Sequence, residues 1–234
     1  MTEFRYDLHI HTRETSRCGH ISAADMVKSY KALGYSGIAI TDHFHEDYIK
    51  TLPFKDDWNK CISAYLAGYR LAKEAAASLD FDVILGMELR LTENSNDYLV
   101  YGFTEDFLRS HPYLFRTNIC AFYQTFKDQA LIIQAHPYRG GMNLQPQCLH
   151  GLEVINCNQR HENHNDLAFK LAAEQPLGFI RICASDAHKR EDIGRASMIF
   201  PARIKDSSDL AINLKSGNYR MDCPEYKELL NRNS

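Results

Sequence analysis

Phe4-Arg5-Tyr6-Asp7-Leu8-His9-Ile10-His11 is the stretch near the start of the chain on which the prediction of the fold rests. Its apolar residues favour a β-strand over Phe4–Ile10. His9 and His11 are two residues apart, so on a strand both imidazoles point to the same face and can reach one metal ion. The stretch therefore predicts a strand that ends in a pair of metal ligands.

Short apolar runs of this kind alternate with helical patterns along the rest of the chain. Ser22 caps a first helix, and a long helix is predicted over residues 57–79, where apolar side chains keep the helical period. This alternation favours a parallel sheet, either a TIM-like barrel or a doubly wound sheet. Because no glycine-rich phosphate loop follows any strand, we prefer the α/β barrel, in a single domain over residues 1–234. The other predicted strands cover residues 37–40, 83–85, 98–101, 131–134, 152–155, 179–183 and 198–200, and the other helices cover 165–174 and 208–215.

The composition is that of an ordinary globular protein. Hydrophobic residues make up 44% of the 234 residues, and the formal net charge is −3. Without an overall basic field, the chain is not expected to bind a long nucleic acid. Neither a signal peptide nor a run of about 18 apolar residues is present, so we predict no secretion and no membrane span. Seven scattered cysteines without a Cys-x-x-Cys pair predict reduced thiols and a cytoplasmic location, and the sequence specifies no oligomeric state.

Side chains of the metal-ligand type follow nearly every predicted strand. In a barrel these strand ends converge on one mouth, where barrel active sites are built. Imidazole together with carboxylate suits zinc, manganese or iron. Their number exceeds what one tetrahedral ion can use, so we expect two or three divalent ions, with Glu88 as a bridging carboxylate. The strand-end side chains are His9, His11, Asp42, His43, Glu88, Asp97, His136, Asn156, Asp186 and His188.

Five stretches at these positions resemble the PHP (polymerase and histidinol phosphatase) family. They are Asp-Leu-His-Ile-His-Thr at 7–12, Ile-Thr-Asp-His at 40–43, Gly-Met-Glu at 86–88, Ala-His-Pro at 135–137 and Ser-Asp-Ala-His at 185–188. The resemblance implies a distorted seven-stranded TIM-like barrel, a trinuclear metal site and phosphoester hydrolysis. The metal ligands that it implies are His9, His11, His43, Glu88, His136, Asp186 and His188.

The chain departs from the family pattern at two positions. Family members usually carry Asp or His shortly after the first motif, whereas this chain has Cys18, with His20 two residues on. Either residue is a candidate ligand, and the alternative is a plain surface loop. Many relatives begin the fourth strand with His, where this chain has Asp97, which we expect to bind metal in its place.

Arginine offers a planar fork of donors that matches a phosphate group. Arg139 follows the predicted ligand His136 by three residues, and relatives that dephosphorylate small molecules have similar His-Pro-x-Arg stretches. We therefore expect Arg139 to bind substrate and to act in catalysis together with Glu88 and Asp186. Arg160 and His161, in the loop after the sixth predicted strand, are further candidate substrate contacts.

The leading hypothesis from the sequence is hydrolysis of a small-molecule phosphomonoester by a metal-activated water. One alternative is a phosphodiesterase or exonuclease that acts on short nucleotides, since the same ions cleave diesters. Hydrolysis of an amide or a lactone is a more distant alternative, because no lysine ends a predicted central strand to bridge two metals. The remaining hypothesis is a non-catalytic metal-binding module.

Overall fold

The computed structural model describes residues 3–140 and 143–232. In this part of the chain, eleven strands and nine α-helices are present. The strands are β1 (Phe4–Ile10), β2 (Gly37–Ile40), β3 (His43–Phe44), β4 (Asp82–Leu85), β5 (Met87–Arg90), β6 (Asp97–Tyr101), β7 (Leu131–Gln134), β8 (Gly151–Asn156), β9 (Ile180–Ala184), β10 (Ser197–Phe200) and β11 (Arg220–Asp222). The helices are α1 (Ala23–Ala32), α2 (Glu46–Lys50), α3 (Trp58–Tyr65), α4 (Ala67–Ala76), α5 (Glu105–Ser110), α6 (Ile119–Phe126), α7 (Asn165–Ala173), α8 (Ser207–Ser216) and α9 (Pro224–Arg232).

The strands form two mixed sheets. The first sheet has the order β11-β10-β1-β2-β4, in which β1, β2 and β4 are parallel and β10 runs antiparallel to both of its neighbours, β1 and β11. The second has the order β3-β5-β6-β7-β8-β9, in which β6 runs antiparallel to both of its neighbours. The two sheets meet where Ile10, at the end of β1, bridges Ala187, just after β9. This junction brings ligand-type residues of both sheets together.

The predicted mixture of strands and helices is confirmed, but one closed parallel barrel does not form among the described residues. Strands β5 and β6 are joined by residues 91–96 only, whereas a parallel connection needs a crossover of about a dozen residues. The short loop therefore forces β6 to turn back against β5.

Strand β5 itself was not predicted, because Gly86 separates it from β4 and the polar Glu88 interrupts its apolar residues. The two-residue strand β3 was also not predicted.

The long helix predicted over residues 57–79 is two helices that meet at Leu66. The break lets Gly68 approach the loop that follows β1, where its backbone N–H donates to Thr15 Oγ1 over 3.1 Å. A Cβ atom at Gly68 would lie only 2.8 Å from Asp42 Oδ2 and would also collide with the Thr12 side chain. Only glycine permits this close approach, which fixes the loop beside the junction of the two sheets.

Apolar side chains of both sheets pack into a common core. Tyr101, on β6, is fully buried, and its hydroxyl donates to the Leu8 carbonyl of β1 over 2.6 Å. A buried hydroxyl needs a partner of this kind, and the bond fixes the middle of β1 against the second sheet. Strand β1 therefore belongs to the first sheet by its backbone hydrogen bonds and is held against the second sheet by the side chain of Tyr101.

The prediction that all seven cysteines are reduced thiols is wrong for one pair. Cys120, in α6, and Cys148 form a disulfide, with their Cα atoms 5.0 Å apart. The pair is separated by 28 residues in sequence, and only the packing of α6 against residues 146–148 brings it together. Sequence spacing alone could not reveal this pairing. None of the described helices is long and apolar enough to cross a membrane.

Candidate metal centre

Strand β1 points His9 and His11 toward the second sheet, as the two-residue spacing predicts. Both side chains are completely buried, and their ring centroids are 5.0 Å apart. His9 Nδ1 lies 2.9 Å from Glu153 Oε1. An ionised carboxylate can only accept a hydrogen bond, so this contact places a proton on Nδ1 and directs Nε2 into the cluster.

Glu88, on β5, is the centre of the cluster. Its Oε1 lies 2.9 Å from His136 Nε2, and its Oε2 lies 2.6 Å from His43 Nδ1. The Nε2 atoms of His9 and His11 each lie 3.4 Å from one of its oxygens. Four histidines thus surround one buried carboxylate, an arrangement that suits a bridging ligand.

Asp186 and His188 follow β9 and complete the cluster. Asp186 Oδ1 lies 3.3 Å from His11 Nε2 and 3.2 Å from His188 Nδ1. The backbone of Asp186 is left-handed, with φ of 51°, and His136 has φ of 27°. Such conformations are strained for residues other than glycine and persist where the surroundings fix them. Here Asn158 Nδ2 donates to the Asp186 carbonyl over 3.1 Å.

The donor atoms fit divalent metal ions. His9 Nε2, His11 Nε2 and Glu88 Oε2 are buried, and their close contacts with one another and with the His43 ring do not have hydrogen-bond geometry. Buried polar atoms without a partner cost free energy, and a cation would provide the partner that these atoms lack. Imidazole nitrogens and carboxylate oxygens are the ligands of zinc, manganese and iron sites. Among the described residues, three groups have ligand atoms within 4.8 Å of one another, namely His11 with His43 and His188, His9 with His11 and Asp186, and His43 with Glu88 and Asp97.

The electrostatics of the cluster also favour a cation. Burial raises the pKa of Glu88, but His43 and His9 outweigh burial and hold that pKa well below its usual range. Burial lowers the pKa of His9, yet the carboxylates of Glu153, Asp186 and Glu88 hold it well above its usual range. The carboxylate of Glu88 thus stays ionised and stabilises positive charge on its neighbours, which is what a metal-binding site requires.

The PHP domain family model matches residues 7–185, and a PHP-associated family model matches residues 162–219. The chain belongs to the PHP family. A similar structure is a two-domain protein from Bacteroides vulgatus that contains a predicted PHP-like metal-dependent phosphoesterase, with 18% identity and a TM-score of 0.64. That match covers 95% of this chain and 65% of the Bacteroides protein, so this PHP chain spans just under two thirds of its length.

Two further structures resemble this PHP chain over most of both lengths. A candidate metal-dependent phosphoesterase from Bifidobacterium adolescentis is 16% identical with a TM-score of 0.52, over 89% of this chain and 95% of that one. An amidohydrolase from Chromobacterium violaceum, with bound sulfate and no metal, is 14% identical with a TM-score of 0.52, over 97% and 96%. At these identities the likeness shows the fold alone. No curated protein matches the chain.

The two departures of this PHP chain from the family pattern involve three positions, 18, 20 and 97, and the surroundings of these positions differ. Cys18 is solvent-exposed, and its thiol lies beside the side chains of His43 and His188. His20 is exposed and lines a different surface cavity together with Arg13 and Lys189, so the structure does not bring this candidate ligand into the cluster. The loop thus presents the thiol, and not the imidazole, to the metal centre.

Asp97, the third of these positions, lies at the edge of the cluster. Its two oxygens accept hydrogen bonds of 2.8 and 2.6 Å from Arg90, and Oδ2 lies 3.9 Å from His136 Nε2. Burial and the charge of Glu88 raise the pKa of Asp97, while Arg90 lowers it. Asp97 is therefore close enough to share an ion with His43 and Glu88, although an arginine already binds it. No feature of the sequence distinguishes Arg90 from other surface arginines.

A cavity of about 330 Å³ opens beside the cluster, and Glu88, Asp97, His136 and Asp186 line it. Arg139 also lines it, and its Nη2 lies 2.9 Å from Asp186 Oδ2. The structure places two of the three predicted substrate contacts, Arg139 and His161 but not Arg160, at this cavity. His161 lines this cavity and also a larger neighbouring one of about 640 Å³.

Arg160 lines neither of these two cavities. Its Nη1 binds both oxygens of Asp192 at 2.6 Å, and Asp192 Oδ2 also accepts hydrogen bonds from the backbone of His188 and Lys189. Arg160 thus connects the loop after β8 to the segment that carries His188. This geometry assigns it a positioning role and gives no support to the predicted substrate contact.

Several residues that hold the ligands were not predicted. Glu153 is fully buried within the apolar strand β8, and Oε2 accepts from the His136 backbone N–H over 2.8 Å. A lone acid in a buried strand is the signal that could have revealed it. Asp42 was noted at a strand end, but its carboxylate accepts from Thr12 and Ser16 over 2.7 Å and fixes the loop after β1. Asn163, which accepts from Arg139 over 2.9 Å, carries no signal in the sequence.

Proposed function

We propose that this chain hydrolyses a phosphoester, with phosphomonoesters of small metabolites as the leading substrate class. The observation that carries the proposal is a buried cluster of unpartnered imidazole and carboxylate atoms beside a cavity that contains an arginine. Similar structures described as metal-dependent phosphoesterases support it. The cavity, of about 330 Å³, suits a small substrate, and the net charge of −3 does not favour a long nucleic acid.

The proposed cofactor is two or three divalent ions of zinc, manganese or iron. Divalent ions bound at such a site polarise the phosphoryl oxygens and activate water for in-line attack. The carboxylate of Glu88 contacts imidazoles from both sheets, so it is the residue best placed to be shared between ions. The residues proposed to hold the ions are His9, His11, His43, Glu88, Asp97, His136, Asp186 and His188.

Arg139 is proposed to bind the phosphoryl group. Its Nε and Nη2 donate to Asn163 Oδ1 over 2.9 and 2.7 Å, and Nη2 also donates to Asn156 Oδ1 over 2.9 Å. Its Nη1 makes no hydrogen bond to any residue in the described ranges, so that donor is available to a phosphoryl oxygen. The guanidinium is thus fixed on one side and open on the other, as stabilisation of charge in the transition state requires.

The chain also supplies a candidate for proton transfer. His161 lines the same cavity from an exposed loop position and lies outside the ligand cluster. Because it is not needed to hold an ion, it is free to exchange a proton with the oxygen of the leaving group. Asp186, by contrast, is surrounded by histidines and bound by Arg139, which suits a ligand better than a proton carrier.

The test is turnover of a phosphoester panel by protein purified with manganese or zinc. The panel contains nitrophenyl phosphate, a nitrophenyl diester, nucleotides, sugar phosphates and histidinol phosphate. We expect metal-dependent turnover of a monoester that falls at least about 100-fold in Glu88→Ala and His136→Ala. His20→Ala is the matched control, since this histidine is exposed and outside the cluster. Full activity of Glu88→Ala would show that the proposal is wrong.

Other outcomes of the panel identify the alternatives. Preference for the diester over every monoester would assign a phosphodiesterase that uses the same ions. Two or more bound ions without turnover of any compound would instead support a metal-binding module. Arg139→Lys should reduce kcat/KM about 100-fold while the bound metal is unchanged, because lysine lacks the planar fork. Arg109→Lys, at an exposed site where the arginine binds Asn59 and Ser63, is the control.

A further inference from the structure

Cys18 is the only free cysteine among the described residues that lines the cavity beside the cluster. Its thiol lies beside the imidazoles of His43 and His188, which line the same cavity. The ring centroids of these two histidines are 5.9 Å apart, so the sulfur contacts two rings that already face a common space. A thiol placed between two imidazoles has the donor types of a zinc site.

A second observation marks the same place as a ligand position. His11, His43 and His188 offer nitrogens within 4.8 Å of one another, and His11 Nε2 is completely buried without a hydrogen-bond partner. The two imidazoles beside Cys18 therefore belong to the same group as this buried nitrogen. A cation at this point would contact the imidazoles and the sulfur together.

The loop that carries Cys18 is held in place. Ser16 Oγ donates to Asp42 over 2.7 Å, and the Gly19 N–H donates to the Ser16 carbonyl over 2.9 Å. A Cβ atom at Gly19 would lie 2.7 Å from the Thr12 backbone, so the loop is packed closely against the end of β1. His20 N–H donates to the His188 carbonyl over 2.8 Å. The backbone on both sides of Cys18 is thus fixed relative to the histidines.

We propose that Cys18 supplies a thiolate to an ion held with His43 and His188, and that this position selects zinc over manganese. Binding would release the thiol proton to solvent as the sulfur–metal bond forms. Thiolate is a soft ligand that suits zinc, whereas a carboxylate at this position would suit manganese and magnesium. The inference rests on the metal binding of the proposed function but not on its substrate.

The test is titration of the chelator-stripped full chain with Co²⁺, which replaces zinc and gives a thiolate-to-cobalt charge-transfer absorption in the near ultraviolet. We expect this absorption in the wild-type protein and its loss in Cys18→Ser, while cobalt still binds at the remaining positions. Since Cys18 is exposed, the substitution should leave the thermal melt unchanged.

A control is needed because the thiol of Cys223 contacts those of Cys157 and Cys183, and these three could also bind cobalt. The absorption should survive in Cys223→Ser. Cobalt binding without the absorption, or with an absorption that persists in Cys18→Ser, would overturn the inference and leave the proposed function intact. No bound cobalt at all would overturn both.

Metal selectivity gives a readout independent of spectroscopy. The stripped protein is dialysed against equal concentrations of zinc and manganese, and the bound metals are measured by elemental analysis. Cys18→Asp, which replaces the thiol by a carboxylate, should raise the ratio of bound manganese to bound zinc at least about tenfold over that of the wild-type protein. An unchanged ratio would show that Cys18 does not set the metal preference.

Discussion

The carboxylate of Glu153 orients two of the residues proposed to bind metal. One oxygen accepts from His9 Nδ1 over 2.9 Å, and the other accepts from the backbone N–H of His136 over 2.8 Å. Partners of this kind fix the tautomer of a ligand and typically contribute a factor of about 10–100 to metal affinity. We therefore expect Glu153→Ala to weaken zinc binding by about that factor, measured by competition with a chromophoric chelator.

The control for this prediction is Glu74→Ala, since Glu74 is an exposed acid on α4. It should bind zinc as the wild-type protein does. Equal zinc affinity in Glu153→Ala and the control would mean that Glu153 only fills a polar position in the core.

The candidate ligands were easier to predict than the residues that hold them. Pairs such as His9 with His11 are two apart on a strand, and this spacing alone places both side chains on one face. The partners of Arg139 come instead from the loop after β8, where Asn163 looks like any polar loop residue. Arg160 illustrates the opposite error. Its position in that loop suggested a substrate contact, whereas its side chain binds Asp192.

The break between α3 and α4 has its own consequence for the metal centre. Gly68 packs against Thr12 and Asp42, and an added Cβ would lie 2.8 Å from the Asp42 carboxylate. Gly68→Ala should therefore destabilise the protein by about 1–3 kcal/mol and also weaken metal binding, because the loop after β1 must shift. Urea unfolding and zinc titration measure the two effects.

Gly217→Ala separates stability from metal binding. Gly217, after α8, has φ of +71°, and an added Cβ would meet nothing within 4 Å. Backbone strain alone should cost about 1–2 kcal/mol there. Unfolding should therefore become easier while zinc affinity stays at the wild-type value. Similar zinc affinities in both glycine variants would contradict the role assigned to Gly68.

His150, just before β8, makes stability depend on pH. Its Nδ1 accepts from the Ile132 N–H over 3.0 Å, and burial together with Lys215 lowers its pKa from 6.5 to about 4. The unfolded chain thus takes up a proton more readily, so this stability is present above pH 6.5 and is lost as the pH falls toward about 4. The urea midpoint of the wild-type protein should drop more between pH 7 and pH 5 than that of His150→Asn, which keeps an acceptor for Ile132. Equal drops would contradict the prediction.

Strand direction was the part of the fold that apolar patterns could not supply. A buried strand has the same apolar run whether it is parallel or antiparallel, so β6 was placed correctly in sequence but not in direction. The deciding quantity is the length of the loop over residues 91–96, which is too short for a crossover. The break between α3 and α4 could not be predicted either. The apolar residues of 57–79 keep the helical period across it, and the contact of Gly68 with Asp42 is long-range in sequence.

The two sheets are joined by few backbone hydrogen bonds, but the proposed ligands come from both. His9 and His11 belong to the first sheet, whereas Glu88 belongs to the second. A bound ion would therefore cross-link the sheets and stabilise the whole fold. At a zinc concentration about 100 times the Kd, the gain is about 2.7 kcal/mol, or about 5–10 °C in Tm.

Removal of metal with a chelator should lower the Tm by this amount, as measured by calorimetry. In Glu88→Ala, the difference in Tm with and without chelator should be much smaller, because the carboxylate that contacts ligands of both sheets is missing. A Tm that does not respond to chelator in the wild-type protein would mean that no ion connects the sheets.

The left-handed backbone at His136 and Asp186 has a consequence for attempts to engineer this protein. Each position holds a conformation with φ of 27° or 51° that glycine adopts without penalty, whereas other residues lose on the order of 1–3 kcal/mol. Selection for heat resistance in the absence of metal would therefore favour glycine at both positions and would remove an imidazole and a carboxylate from the centre. Thermostable descendants of this chain should be screened for retained ions before they are screened for melting temperature.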